Sequence, residues 1–321
     1  MVFSLSYTEY DRMIWETELS DFVPDKVFDA HAHLWSEKNA NASTAASVLR
    51  YEADAGTLFR WGNTVFPGRQ LAFMMLGSPV RGVDFESDRE WCVKESLRCP
   101  GCVCGVLLPP WMEPEKLISE YRRLHFKAVK PYFSFAGHAA ESPLHELIPE
   151  QLVEAADQCS LAVVLHIAKP ECFSDSENLR TLEYFTRKYP RVTWQLAHCA
   201  RSFNSILLEK PLRRLKGLEH ICYDLSAVCD DYSMYLLFRH ENRSRLMFGT
   251  DAVVNGGMRG TYAAFGRSWG LAGTDRNDAT LVCYEQIRAM RRAADMAGLS
   301  QDELNAIFYD NAVEIYRKDK E

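Results

Sequence analysis

Apolar residues gather along this chain into short, nearly continuous runs set between longer amphipathic stretches. The runs are Val27 to Trp35, Leu71 to Leu76, Cys102 to Leu108, Phe126 to Tyr132, Leu161 to His166, Val192 to His198, His220 to Leu225 and Leu246 to Thr250. Runs that short, without alternation, read as strands buried on both faces. Between them lie stretches with apolar residues at helical spacing: Ser87 to Arg98, Glu113 to Leu124, Pro149 to Gln158, Ser176 to Lys188, Ser205 to Lys216 and Asp231 to His240. Asp278 to Ala297 and Gln301 to Arg317 follow as two closing helices. Strand and helix in strict alternation predict a parallel sheet, and eight strands favour a closed (β/α)8 barrel over an open doubly wound sheet. No Gly-x-Gly-x-x-Gly follows the first strand, which weakens a dinucleotide-binding reading.

Two stretches break the rhythm. Residues 1–26 place Tyr10, Ile14, Trp15, Leu19 and Phe22 on one helical face before Pro24, predicting a helical extension packed on the outside of a catalytic barrel spanning 27–321. Residues 36–70 show no clean period, as suits an insertion that walls or covers a pocket.

Composition narrows the class. The 321 residues are 47% hydrophobic and 25% charged, with a formal charge of −7. That acidic balance argues against nucleic-acid binding, and no apolar run reaches the ~20 residues that span a bilayer. The first residues lack the basic and apolar regions of a secretory signal. Cysteines such as Cys159, Cys222 and Cys283 fall inside apolar elements, as packed, reduced thiols of a cytoplasmic enzyme do. Cys99, Cys102 and Cys104 form the closest set; a metal knuckle there conflicts with a strand beginning at Val103, so structural thiols are favoured.

The candidate chemistry sits at the ends of the apolar runs. His31 and His33 share one face of the first strand, ~7 Å apart along the chain. The fifth run ends in His166, the sixth in His198, and Asp251 follows the eighth. In a parallel barrel these ends converge on one face. A lone strand histidine is ordinarily a buried, hydrogen-bonded residue, and His125, His138, His145, His220 and His240 are read that way. Asp251 taken alone could be a helix cap.

The ordered set His-x-His, His, His, Asp resembles the amidohydrolase superfamily, and most closely its amidohydrolase-2 branch of metal-dependent barrel hydrolases and decarboxylases. The opening Asp29-Ala-His-Ala-His33 and the closing Ile307-Phe-Tyr-Asp-Asn-Ala-Val-Glu-Ile-Tyr316 are similar to that branch, and the resemblance covers about residues 27–316. It implies a metal held by His31, His33 and His166 with Asp251 as a further ligand. His198 would polarise the substrate or the attacking water, and Asp251 would move the proton. One divalent ion is expected, Zn2+ first and Mn2+ as the alternative. Lys130 ends the fourth run, where binuclear relatives carry a carbamylated lysine; an ion pair or a contact to an anionic substrate is the reading preferred here. Tyr132, Lys169, Arg201 and Arg259 follow strand ends, and the cations would suit an acid substrate or lie solvated in loops.

The expected activity is hydrolysis of an amide, ester or lactone bond in a small, anionic molecule. Non-oxidative decarboxylation or C–C cleavage on the same site is the alternative. Expected partners are a small-molecule substrate and a second copy of the chain in a homo-oligomer (dimer), with no nucleic acid and no membrane.

Overall fold

The computed structural model describes residues 5–39, 52–265, 268–274 and 278–317. All eight apolar runs become strands: β1 Lys26–His33, β2 Gln70–Leu76, β3 Val103–Leu108, β4 Ala128–Pro131, β5 Ala162–Leu165, β6 Thr193–Leu196, β7 Ile221–Asp224 and β8 Leu246–Met247. They pair in parallel in sequence order. Residues just past β8 close the circle against β1: Ala30 N donates to Phe248 O at 2.9 Å, Asp251 N to His31 O at 2.8 Å and His33 N to Ala252 O at 2.7 Å. The molecule is therefore a (β/α)8 barrel, as the alternation predicts.

Phe28, Ala30, Met74, Val164 and Met247 belong to the cluster that fills the barrel interior, with Ala312 and Tyr316 of the last helix packed onto it. A much larger cluster packs between barrel and helices, and Ala32 belongs to it. Phe28 and Ala32 lie an even number of residues apart, so a regular strand would put both on one side. The register of β1 against β2 shifts between Asp29 and Ala32, which is a bulge. The bulge reverses the parity of the strand, and His31 and His33 turn into the barrel mouth.

Most predicted helices form close to their expected bounds. Asp84, Asp175, Asn204 and Asp230 cap the helices Phe85–Leu97, Ser176–Lys188, Ser205–Leu215 and Asp231–His240, satisfying amides that the first turn leaves free. Three differences stand out. The aperiodic 36–70 stretch contains a helix, Ala55–Val65, capped by Asp54; residues 40–51 lie outside the described residues. Beyond the loop that follows β8 the chain forms a hairpin, β9 Thr261–Phe265 and β10 Ser268–Ala272. The closing helix Gln301–Arg317 is interrupted by one π-helical segment, Ala306–Asp310. Asn311 just beyond it donates to Leu246 O at 2.8 Å and Arg243 O at 2.9 Å, tying this helix to β8.

The N-terminal helix Glu9–Ile14 carries a Thr8–Asp11 capping box and runs on into a π-helical turn, Trp15–Leu19. Trp15 stacks on Tyr284 at 6.1 Å, and Arg288 and Arg291 pair with Glu18 and Asp21.

Candidate metal centre and active site

The floor of the barrel mouth is built around Asp224, the last residue of β7. Its Oδ2 accepts from His31 Nδ1 at 3.1 Å and from Gln195 Nε2 at 2.7 Å; its Oδ1 accepts from the backbone of His198 at 3.0 Å and from Ser226. Burial alone would raise this carboxyl, but the His31 ring and these donors hold it well below the usual carboxylate range. Gln195 also donates to Ala30 O at 3.0 Å and accepts from Tyr316. A buried polar column thus runs from the helix under the barrel to His31.

The remaining imidazoles are fixed in the same manner. His33 Nδ1 donates to Gly77 O at 2.7 Å, and His198 Nδ1 to Ser226 O at 2.9 Å. A neutral imidazole whose Nδ1 carries the proton presents Nε2 as a bare acceptor. His31 Nε2 and His33 Nε2 face each other at 3.3 Å, and Asp251 Oδ1 lies 3.6 Å from each. His198 Nε2 stands 3.8 Å from Asp251 Oδ2. Lone pairs so close repel one another unless a cation lies among them. Burial pushes His33 down to about 3 and His198 down to about 4, so neither ring supplies that charge itself at neutral pH. The donor set fits a divalent metal of the kind imidazole and carboxylate hold.

Among the described residues, two groups bring three ligand atoms within 4.8 Å: His31, His33 and Asp251, and His31, His198 and Asp224. Asp224 in the second group is the carboxylate that orients His31, a role commonly found behind metal-bound histidines. The sequence reading missed it. The signal was present, since Asp224 is an acid set next to the end of the seventh apolar run.

Backbone conformation helps to aim the site. Asp251 has φ 58°, and His198 to Arg201 are four successive left-handed residues with φ 54° to 64°. Each such non-glycine residue costs roughly 1–2 kcal/mol, and strain of this sort collects where surrounding contacts over-determine the backbone. Gly249 lets the β8 extension pass close to β1, for a Cβ there would come within 3.1 Å of His31 Cβ. Asp29, the first residue of the Asp-x-His-x-His opening, holds the bulge. It accepts from His31 N at 3.0 Å and from Thr250 N at 2.9 Å, while burial pushes its carboxyl up to about 7.

The other expected site residues divide. Lys130 is buried with Nζ 3.3 Å from His31 Nε2, and burial lowers it to about 8 against the attraction of Asp251 and Asp224. Tyr132 lies beneath Lys130 and bridges by its backbone to His166. His166 does not join either group of converging ligand atoms; its ring sits 5.1 Å from that of His198 and 5.0 Å from that of Tyr132. Arg201 donates to Ala168 O at 2.9 Å and lies over Trp269 of the hairpin at 4.9 Å. Phe203, stacked beside His198, meets Trp269 at 4.2 Å and Tyr262 at 5.0 Å. The hairpin therefore forms one wall of the mouth. Asn255 links it to the chemistry, donating to Asp251 and accepting from Tyr262 OH at 3.4 Å.

Two expected cations are engaged elsewhere. Arg259 pairs with buried Asp11 and donates to Ala279 O at 2.6 Å, strapping the N-terminal helix to the loop after β8 rather than facing a substrate. Lys169 is taken up by Glu177 at 3.0 Å and Asp175 at 3.6 Å. No described helix is long and apolar enough to cross a membrane.

Comparison with known proteins agrees with the barrel fold. The fold is shared with a probable 2-pyrone-4,6-dicarboxylic acid hydrolase from Acinetobacter baumannii, at 14% identity over 91% of this chain and 99% of that one, with a TM-score of 0.60. It is shared with 5-carboxyvanillate decarboxylase from Sphingomonas paucimobilis at 11% identity (92% and 99% covered, TM-score 0.55). The 4-oxalomesaconate hydratase from Rhodopseudomonas palustris is similar at 15% identity (91% and 95% covered, TM-score 0.54). At these identities the likeness is one of fold. No curated protein matches the chain. The family model described as amidohydrolase matches residues 28–318, from the bulged first strand to the helix that plugs the barrel, and the chain belongs to that family.

Proposed function

We propose that this protein is a metal-dependent hydrolase that cleaves an amide, ester or lactone bond of a small anionic molecule. One observation carries the reading. His31 Nε2, His33 Nε2 and Asp251 Oδ1 converge as acceptors in a buried mouth, with their outer nitrogens already satisfied. We assign them as the ligands, with His166 on the partly exposed side as a further one and zinc as the preferred ion. A divalent ion held there supplies Lewis acidity.

The chain's own groups do the rest. Asp251 is held ionised: burial would raise it, but His31, His198 and His33 outweigh this and bring it to about 2. It is thus an acceptor at any pH near neutral, able to take the proton of the attacking water and return it to the leaving group. Asn255 fixes the orientation of that carboxylate. His198 Nε2, aimed by the left-handed turn, faces the same space as a bare acceptor and can orient the attacking water through a hydrogen bond. Lys130 and Arg201 are the candidate groups for the substrate's carboxylate, with Tyr132 beside them.

Arg201, lying over Trp269 in the aromatic wall that Trp269 forms with Phe203 and Tyr262, supports a second reading. In it a planar acid is held there and its carboxylate leaves in a non-oxidative decarboxylation. A screen of the metal-replete enzyme against lactones, N-acyl compounds and aromatic carboxylates separates the two. Acid release without carbon dioxide supports hydrolysis, and carbon dioxide release supports the second. Failure to bind any divalent metal after reconstitution overturns both.

A further inference from the structure

At the end of the barrel opposite the histidines, the turn Cys99-Pro100-Gly101-Cys102 joins the helix Phe85–Leu97 to β3, and nothing in the proposed chemistry uses it. Cys102 N donates to Cys99 O at 3.0 Å, closing four residues into one turn. Proline at the second position and Gly101 at the third, with φ +88°, is the type II arrangement. A Cβ at Gly101 would lie 2.5 Å from the Arg317 guanidinium, so the turn also admits no larger residue without displacing that side chain. A turn of this kind holds its first and last Cα atoms within ~7 Å, which overlaps the ~4.4–6.8 Å that a disulfide spans. Both thiols are free and partly exposed, and each lies near enough to influence the ionisation of the other.

We propose that Cys99 and Cys102 are a dithiol–disulfide pair, a modification site at which a small-molecule disulfide of the oxidised-glutathione type closes an intramolecular bond. The Cys99 thiolate attacks one sulfur of oxidised glutathione, forming a mixed disulfide and releasing one glutathione. The Cys102 thiolate then attacks Cys99 Sγ and releases the second. The protein loses two protons and two electrons, and the oxidant is reduced to two thiols. Cys99 goes first because burial raises Cys102 up to about 12, leaving it the scarcer thiolate until Cys99 Sγ is beside it. The Arg317 guanidinium is the cation that favours the Cys102 thiolate in the second step. Dithiols whose reduced form is stabilised make strong oxidants. Burial here works the other way, so the bond once formed persists until a dithiol removes it.

The experiment is thiol mapping on the full chain. Reduced protein is treated with oxidised glutathione, quenched in acid, unfolded, alkylated and digested after Lys and Arg. The peptide beginning at Cys99 carries Cys99, Cys102 and Cys104. It should retain a single alkylation site, on Cys104, and regain three after dithiothreitol. Cys102→Ser should accumulate a stable glutathione adduct on Cys99, the trapped first step. Three alkylated cysteines after treatment of the wild type, a persistent glutathione adduct in place of the internal bond, or a disulfide to Cys104 or to a second chain would each overturn the proposal.

Discussion

β1 ends in a histidine and β5 runs directly into one, but the two strands prepare it differently. On β1 a bulge turns both rings into the mouth, Asp224 and Gly77 O each hold an Nδ1, and both rings are buried. On β5, His166 is partly exposed and meets its surroundings through the rings of Tyr132, Phe133 and His198; no hydrogen bond of its ring is found among the described residues. A strand end brings a histidine to the right place. What makes it a ready ligand is the group that fixes its other nitrogen and so leaves Nε2 bare and pointed.

The hardest way to break this comparison is to remove the β1 pair. The double change His31→Ala and His33→Ala should abolish metal binding, read by elemental analysis of reconstituted protein. Metal near one per chain in that variant would mean the ion is held elsewhere. Asp251→Asn comes next. Asn keeps the shape and accepts a hydrogen bond but takes no proton at neutral pH, so kcat should fall by about 10²–10⁴ while the fold survives. Near wild-type turnover would move the proton acceptor to another group, His198 being the first candidate. Smaller still are Asp224→Asn and His166→Ala, each expected to weaken metal affinity by about 10–100-fold. Asp224→Asn acts by loosening His31, and His166→Ala by removing a proposed ligand that is not preorganised. If His166→Ala instead abolishes binding as the β1 double change does, the two strand ends are equivalent and the comparison fails.

Much of this was legible in the sequence, and the rest was hidden for identifiable reasons. Buried parallel strands are continuous apolar runs, so all eight strand positions could be read, and with them the face on which His31, His33, His198 and Asp251 meet. The bulge at Asp29–Ala32 could not be read, because it depends on Thr250 gripping Asp29 from across the barrel seam. A strict period of two still pairs His31 with His33, so the right pairing followed from incomplete geometry. Asp224 went unread because its importance lies in the five donors that converge on it, from His31, Gln195, His198 and Ser226, which only the fold brings together. Arg259 looked like a mouth cation because its partner, Asp11, is far away in sequence. The helix Ala55–Val65 was overlooked although Leu58, Trp61 and Val65 carry a helical spacing after the cap Asp54. It adjoins a polar stretch that dilutes its period.

The smallest expected effects are on stability against pH, and they sharpen the comparison because two buried groups of the site should pull in opposite directions. In metal-stripped protein, His198 has its folded pKa depressed to about 4 from 6.5. Between those values the unfolded chain binds a proton that the folded chain refuses, so this group costs stability as pH falls from about 6.5 towards 4. Asp29 is raised to about 7 from 3.8. Between about 7 and 3.8 the folded chain binds the extra proton, so this group adds stability over nearly the same fall in pH. The two oppose each other in the wild type; Asp88, also raised to about 7, adds to the Asp29 side, and His33, lowered to about 3, adds to the His198 side. A simple melting curve against pH is therefore uninformative, and the measurement must be a difference. Wild type minus His198→Gln should lose stability as pH drops from 6.5 to 4, by at most about 1.4 kcal/mol per unit. Wild type minus Asp29→Asn should gain stability over the same range, with the same ceiling. Denaturant unfolding at three or four pH values, each variant paired with wild type, reads both slopes. A flat Asp29 difference would mean that the donors from Thr250 and His31 keep the carboxylate ionised in spite of its burial. The seam between β1 and β8 would then be held by a charge rather than by a shared proton.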